Sequence, residues 1–168
     1  MNVRCFVPVE DQNATVLILG SMPGQASLDA GQYYAHPRNL FWRFLGELVG
    51  ANPALPYEER VRVLQSAGIA LWDVLKSCVR SGSLDSDIDN GSLVPNDFAA
   101  FFSSHPKISH VYFNGAKADV CYQRCVLPVV REKNIAYERL PSTSPANASI
   151  PLDRKLSAWR AIVKPLTR

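Results

Sequence analysis

The chain has 168 residues, 47% hydrophobic and 20% charged, with a formal net charge of +3. A chain of this size can bury roughly 70% of its unfolded surface, so a single domain over residues 1–168 needs no disulfide or metal staple. The weak charge leaves room for nucleic-acid binding only through a local patch, and no apolar run is long enough to span a membrane.

Val16 to Leu19 is an unbroken apolar run and reads as a fully buried strand. Gly20 ends it, and a Pro23-Gly24 turn follows. Asn39 to Val49 reads as a helix, with Phe41, Leu45 and Leu48 on one stripe. Gly50, Asn52 and Pro53 stop it. Glu58 to Ala67 is a second helix and Ile69 to Val74 a second strand. Ser81 to Pro95 is a polar loop rich in Ser, Asp and Gly. Asn96 can cap a helix running through Phe102. Ile108 to Phe113 is a third strand, Ala116 to Val126 a helix, and Ala136 to Leu140 a fourth strand. Asp153 to Val163 closes the chain as a helix.

Strands alternate with helices, and no hairpin turn joins strand to strand. The pattern predicts an α/β fold: a three-layer α/β/α sandwich around a four-stranded parallel sheet. Ligands of such sheets bind outside the carboxyl ends of the strands. Gly20, Asn114 and Leu140 stand at those ends.

Four cysteines, Cys5, Cys78, Cys121 and Cys125, lack the close spacing of a metal or cluster site. No signal peptide precedes them, so free thiols in a cytoplasmic protein are expected.

Several polar and aromatic residues sit where a ligand would bind. The glycine loop can offer backbone N–H groups to an electron-rich ligand. Tyr33 and Tyr34 offer flat faces. Asn39 offers a neutral amide, although an Asn at a helix start is also a favoured cap. Asn114 can accept from the N–H and donate to the C=O of a lactam edge, or serve an Asn-Gly turn. Ser142, Thr143, Ser144 and Asn147 form a hydroxyl and amide cluster that can hold phosphates or make a solvated turn. Arg38, Lys117, Arg154 and Lys155 can add positive charge nearby. Together these features suggest recognition of a planar heterocycle.

Two motifs carry a resemblance to a known family. Gly20-Ser21-Met22-Pro23-Gly24 is followed by His36-Pro37-Arg38-Asn39-Leu40-Phe41-Trp42, and Leu140-Pro141-Ser142-Thr143-Ser144-Pro145-Ala146-Asn147 lies near the C-terminus. The pair resembles the uracil-DNA glycosylase superfamily, and within it the hypoxanthine-DNA and mismatch-specific uracil/thymine branches. The resemblance implies a monofunctional DNA glycosylase of base excision repair, monomeric, acting on DNA containing deaminated bases, hypoxanthine first and uracil second. It implies no metal, nucleotide or redox cofactor.

By the same resemblance Asn39 orients the attacking water, while Tyr34 stacks on the flipped base. Met22 stands where other branches carry Asp or Asn, so its backbone N–H is the expected contribution to base binding. Leu140 replaces a His or Asn near the leaving base and donates nothing. Ser142, Thr143, Ser144, Asn147, Arg38 and Lys117 are expected to contact DNA, and His36 to be structural. No large apolar residue matches the wedge position, where Ser144 or Pro145 stands. Two rival readings stay open: a non-catalytic nucleic-acid binder of the same fold, and a hydrolase of free nucleosides or nucleotides.

Overall fold

A computed structural model describes residues 1–130 and 134–167. Four parallel strands form the central sheet: β2 (Val16–Gly20), β3 (Ile69–Asp73), β6 (His110–Asn114) and β7 (Ala136–Leu140), in the order β3-β2-β6-β7. Alternation along the strands feeds two cores. Leu17, Leu19, Ala70, Val111 and Phe113 face one layer, completed by α4 (Phe98–Ser104) and α5 (Ala116–Cys125). Val16, Ile18, Ile69, Leu71, Tyr112 and Leu140 face the other, completed by α2 (Phe41–Val49), α3 (Tyr57–Ala67) and the C-terminal helical segment. Each side chain fully removed from water there contributes roughly 1.5–3 kcal/mol. The three-layer arrangement expected from the alternation of elements is the one formed.

Several boundaries differ from the sequence reading, for local reasons. The helix expected from Asn39 begins at Phe41, after the cap Leu40, and Asn39 stays outside it, its Oδ1 accepting from Phe41 N at 3.0 Å. Asp97, not Asn96, caps α4, accepting from Ala100 N at 3.0 Å. Asn96 instead ties down the end of β3, donating from Nδ2 to Asp73 O at 2.8 Å. The last helix, α6 (Leu152–Trp159), tightens into a 3-10 helix over Arg160–Thr167.

A second sheet was not expected. After Val74 the chain passes from β3 into β4 (Leu75–Val79), which pairs antiparallel with β1 (Asn2–Arg4) and with β5 (Val94–Pro95). A short helix, α1 (Gln25–Ala30), also lies inside the stretch read as a loop. No helix among the described residues is long and apolar enough to cross a membrane.

Candidate active site

The register of the parallel sheet sets one row of residues across its carboxyl end. Gly20 pairs with Asp73, and Asn114 with Leu140. Leu19 pairs with Phe113, so Gly20 and Asn114 are the next pair along. Asp73, Gly20, Asn114 and Leu140 therefore stand side by side. By strand alternation all four side-chain positions lie on the α2 face of the sheet.

Gly20 is required by its neighbours. A Cβ there would lie 2.5 Å from Asp73 Oδ1 and 3.0 Å from the Tyr34 hydroxyl. The glycine lets the carboxyl and the phenol converge over the strand end. Tyr34 has a positive φ of 55°, a conformation side chains rarely adopt, and its ring stacks on Phe41 with centroids 4.1 Å apart. One ring face is thus covered by Phe41. The hydroxyl is buried beside Asn114 without a well-formed hydrogen bond. Burial, then the Asp73 charge, pushes its pKa up, while the Asn114 amide pulls it down.

Asp73 was not singled out from the sequence. It is 4% exposed, and its Oδ2 has no partner among the described residues. Burial first, and Asp85 second, push its pKa up to about 7, against the lowering effect of Arg80. Asp85 comes from the 3-10 turn Asp85–Asp87 of the polar loop, where Ser21 Oγ donates to its Oδ1 at 2.5 Å. The signal that could have found Asp73 is a lone carboxylate in the apolar run Ile69 to Leu75, since an Asp is almost never buried unless paired.

Thr143 links the two motifs. Its backbone N–H donates to Asn114 Oδ1 at 3.0 Å, and its Oγ1 accepts from Asn114 Nδ2 at 2.9 Å. Its carbonyl accepts from Leu40 N at 3.0 Å. Thr143 was expected to contact DNA, but it is completely buried and its hydroxyl is turned inward. It positions the loop instead. Asn114 spends one hydrogen and one lone pair on Thr143, which leaves each amide atom one further bond to make.

Asn39 stands at the lip of the site, partly exposed. Its Oδ1 is oriented by Phe41 N, and the other lone pair and the NH₂ remain available. The cap-like bond and a water-orienting role are therefore compatible. The Met22 side chain is 7% exposed and packs into the α5-side core, not the site. The Met22 side chain therefore does not line the site. His36 Nδ1 accepts from Arg38 N at 3.1 Å, a local loop bond.

The Pro-Ser loop is fixed from within. Ser142 Oγ accepts from Ser144 N, and Ser142 O accepts from Asn147 Nδ2, both at 3.2 Å. Asn147 O accepts from Lys155 Nζ. Lys155, expected to add surface charge, is 4% exposed and acts as an internal tie. Arg38 and Arg154 are exposed, and Lys117 donates to Asn90 Oδ1 at 2.6 Å. The structure thus brings Tyr34, Asn39 and Asn114 to one strand end, with Ser142, Ser144 and Asn147 at its rim. An open cleft of about 560 Å³, lined by Thr15 and Gly68, lies at the opposite end of the sheet. That is the wrong end for ligands of a parallel sheet.

The fold is an α/β/α domain that gathers a glycine loop, the Tyr34 ring and the Asn114 amide at the carboxyl end of a parallel sheet. The chain belongs to the uracil DNA glycosylase superfamily, whose profile matches residues 7–163. A protein named hypoxanthine DNA glycosylase from Methanosarcina acetivorans is 38% identical over 162 residues, covering 96% of this chain and 98% of its own. Its namesake from Methanosarcina barkeri is 36% identical over 165 residues, covering 98% and 99%. The solution NMR structure of a Methanosarcina acetivorans protein described as a uracil DNA glycosylase superposes with a TM-score of 0.83 at 37% identity, over all of both chains.

Proposed function

We propose that this protein hydrolyses the N-glycosidic bond of hypoxanthine in DNA, with uracil as a secondary base, and so opens base excision repair of deaminated sites. The row Asp73-Gly20-Asn114 beneath Tyr34 carries the reading. It offers a stacking face, an amide with one donor and one acceptor still unused, and a carboxyl, all within reach of one flat ring. Full-length relatives named for hypoxanthine support that base over others.

The reaction needs an extruded nucleotide, a stabilised leaving base and a positioned water. Tyr34 stacks on the extruded base. The remaining Asn114 donor and acceptor match the C=O and N–H of a lactam, which hypoxanthine and uracil share. Adenine and cytosine would leave those atoms unpaired, a discrimination that buried amides make well. Backbone N–H groups near Met22 face the electron-rich base. Asn39, held by Phe41 N, orients the water towards the sugar carbon. Ser142, Ser144 and Asn147, with Arg38 and Lys117, hold the flanking phosphates.

The test is direct. Labelled duplexes carrying deoxyinosine or deoxyuridine are incubated with the protein in EDTA, and abasic sites are then cleaved with alkali. Abasic product from deoxyinosine is expected, with less from deoxyuridine. No abasic product from either would overturn the reading. Release of hypoxanthine from free deoxyinosine but not from the duplex would favour a nucleoside hydrolase.

A further inference from the structure

We propose that Asp73 is the proton donor to the departing base, a role that rests on the glycosylase reading above. The carboxyl lies in the row that forms the floor of the site, opposite Gly20, and approaches the Gly20 backbone as closely as a missing Cβ allows. Its Oδ2 is buried and has no partner among the described residues. Buried polar atoms are nearly always paired, so an orphan at a strand end calls for a ligand atom.

The other groups at the floor cannot give up a proton. Leu140 is apolar, and the Met22 side chain is in the core. The Asn114 amide can only share its hydrogen. The Tyr34 hydroxyl is held well above its ordinary pKa, and so is that of Tyr33. The leaving base nevertheless carries off an electron pair and gains from protonation as it departs.

The charged groups around Asp73 set when the carboxyl keeps its proton. Asp85 reaches it from the 3-10 turn and Arg80 from the end of β4, with opposite effects; Tyr33, Tyr34 and Cys5 face it as neutral groups. Burial exceeds all of these and holds the carboxyl protonated up to about pH 7. That is where a general acid works best.

The step balances as follows. The C1′–N bond breaks and its electron pair passes to the base. The Asp73 carboxyl proton moves to an acceptor atom of that base, which leaves neutral. Water adds its oxygen to C1′ and loses a proton to solvent. Asp73 is then reprotonated from solvent. No oxidant, metal or cofactor enters the balance.

The test measures single-turnover rates at saturating enzyme on a deoxyinosine duplex, from about pH 5 to pH 9, across the range where a general acid would titrate. For the unaltered protein the rate should fall as pH rises through about 7. Asp73→Asn should be slower by about 10²–10⁴ and should lose that descending limb. Its deficit should shrink on deoxyxanthosine, whose base is the stronger acid and leaves with less help. A flat profile for the unaltered protein overturns the inference. So does an Asp73→Asn protein that keeps the limb or cleaves at the unaltered rate. Absence of cleavage by the unaltered protein at every pH would instead overturn the glycosylase reading itself.

Discussion

Asn114 and Thr143 are joined by two hydrogen bonds, Nδ2 to Oγ1 at 2.9 Å and Oδ1 from the backbone N–H at 3.0 Å. The amide that ends β6 therefore also fixes the Pro-Ser loop, and through Leu40 N the start of α2. Two motifs far apart in the chain thus meet at Thr143, whose side chain and N–H bond Asn114 and whose carbonyl bonds Leu40 N.

That junction separates positioning from base recognition. Thr143→Val keeps the backbone N–H and the side-chain size but removes Oγ1. It should leave Asn114 Nδ2 short of one partner, at a cost of roughly 1–3 kcal/mol. Asn114→Ala removes the clamp and the lactam contacts together. If Asn114 reads the base, Asn114→Ala should lower cleavage of deoxyinosine and deoxyuridine well below Thr143→Val, at similar stability. Equal rates in the two variants would leave Asn114 a clamp alone. Denaturant unfolding and single-turnover cleavage give the two quantities.

Asn39 allows a similar separation. Its bond to Phe41 N, made from the residue before the cap Leu40, contributes roughly 0.5–1.5 kcal/mol net. Asn39→Ala should cost that much stability and slow cleavage by around 10²–10³, the size of one lost transition-state contact. Asn39→Asp keeps an oxygen for Phe41 N, so its stability should match the unaltered protein. A loss of activity in Asn39→Ala no larger than its loss of stability predicts would reduce Asn39 to a structural tie at the start of α2.

β2 was legible as an unbroken apolar run closed by Gly20, and β6 as an aromatic run closed by Asn114 and Gly115, while the two motifs stood out by their Pro, Gly, Ser and Asn residues just beyond strand ends. The small sheet was not, since β1 has three residues and β5 two, too few for any period to show. β4 was hidden by its immediate succession to β3, with no turn residue between. Thr143 reads as one of several hydroxyls until the fold turns it inward. Asp73 reads as an ordinary member of a strand until the fold buries its carboxyl. Met22 shows the opposite limit. Its place in the motif suggested the site, whereas strand-end geometry turns its side chain into the core.

Met22 yields a prediction about specificity. Other branches carry an amide or carboxylate at this point, so Met22→Asn invites a switch towards uracil. Its side chain, however, packs in the α5-side core and is 7% exposed. An unpartnered amide there costs roughly 1–3 kcal/mol. Met22→Asn should therefore lower stability without changing the ratio of uracil to hypoxanthine cleavage. Met22→Leu, a near volume-conserving change, should cost under about 1.5 kcal/mol. A raised uracil ratio in Met22→Asn at unchanged stability would show that the side chain turns to the site.

Asp73 should also mark the pH dependence of folding. In the unfolded chain its carboxyl ionises near the ordinary value of 3.8, whereas in the folded protein it keeps its proton to about 7. Between those values the folded state binds the extra proton, so raising the pH favours unfolding. The stability associated with the neutral carboxyl is complete below the lower value and falls by roughly 1.4 kcal/mol for each pH unit crossed at most. Above the upper value both states are ionised and the loss is constant. Asp73→Asn removes this titration without changing the size of the side chain. The melting temperature of Asp73→Asn relative to the unaltered protein should therefore rise from about pH 4 to about pH 7 and level off beyond. A difference independent of pH would mean that Asp73 ionises in the folded protein as it does in the unfolded chain, through a partner or water that satisfies Oδ2. In that case it could not hold a proton for the base near neutral pH.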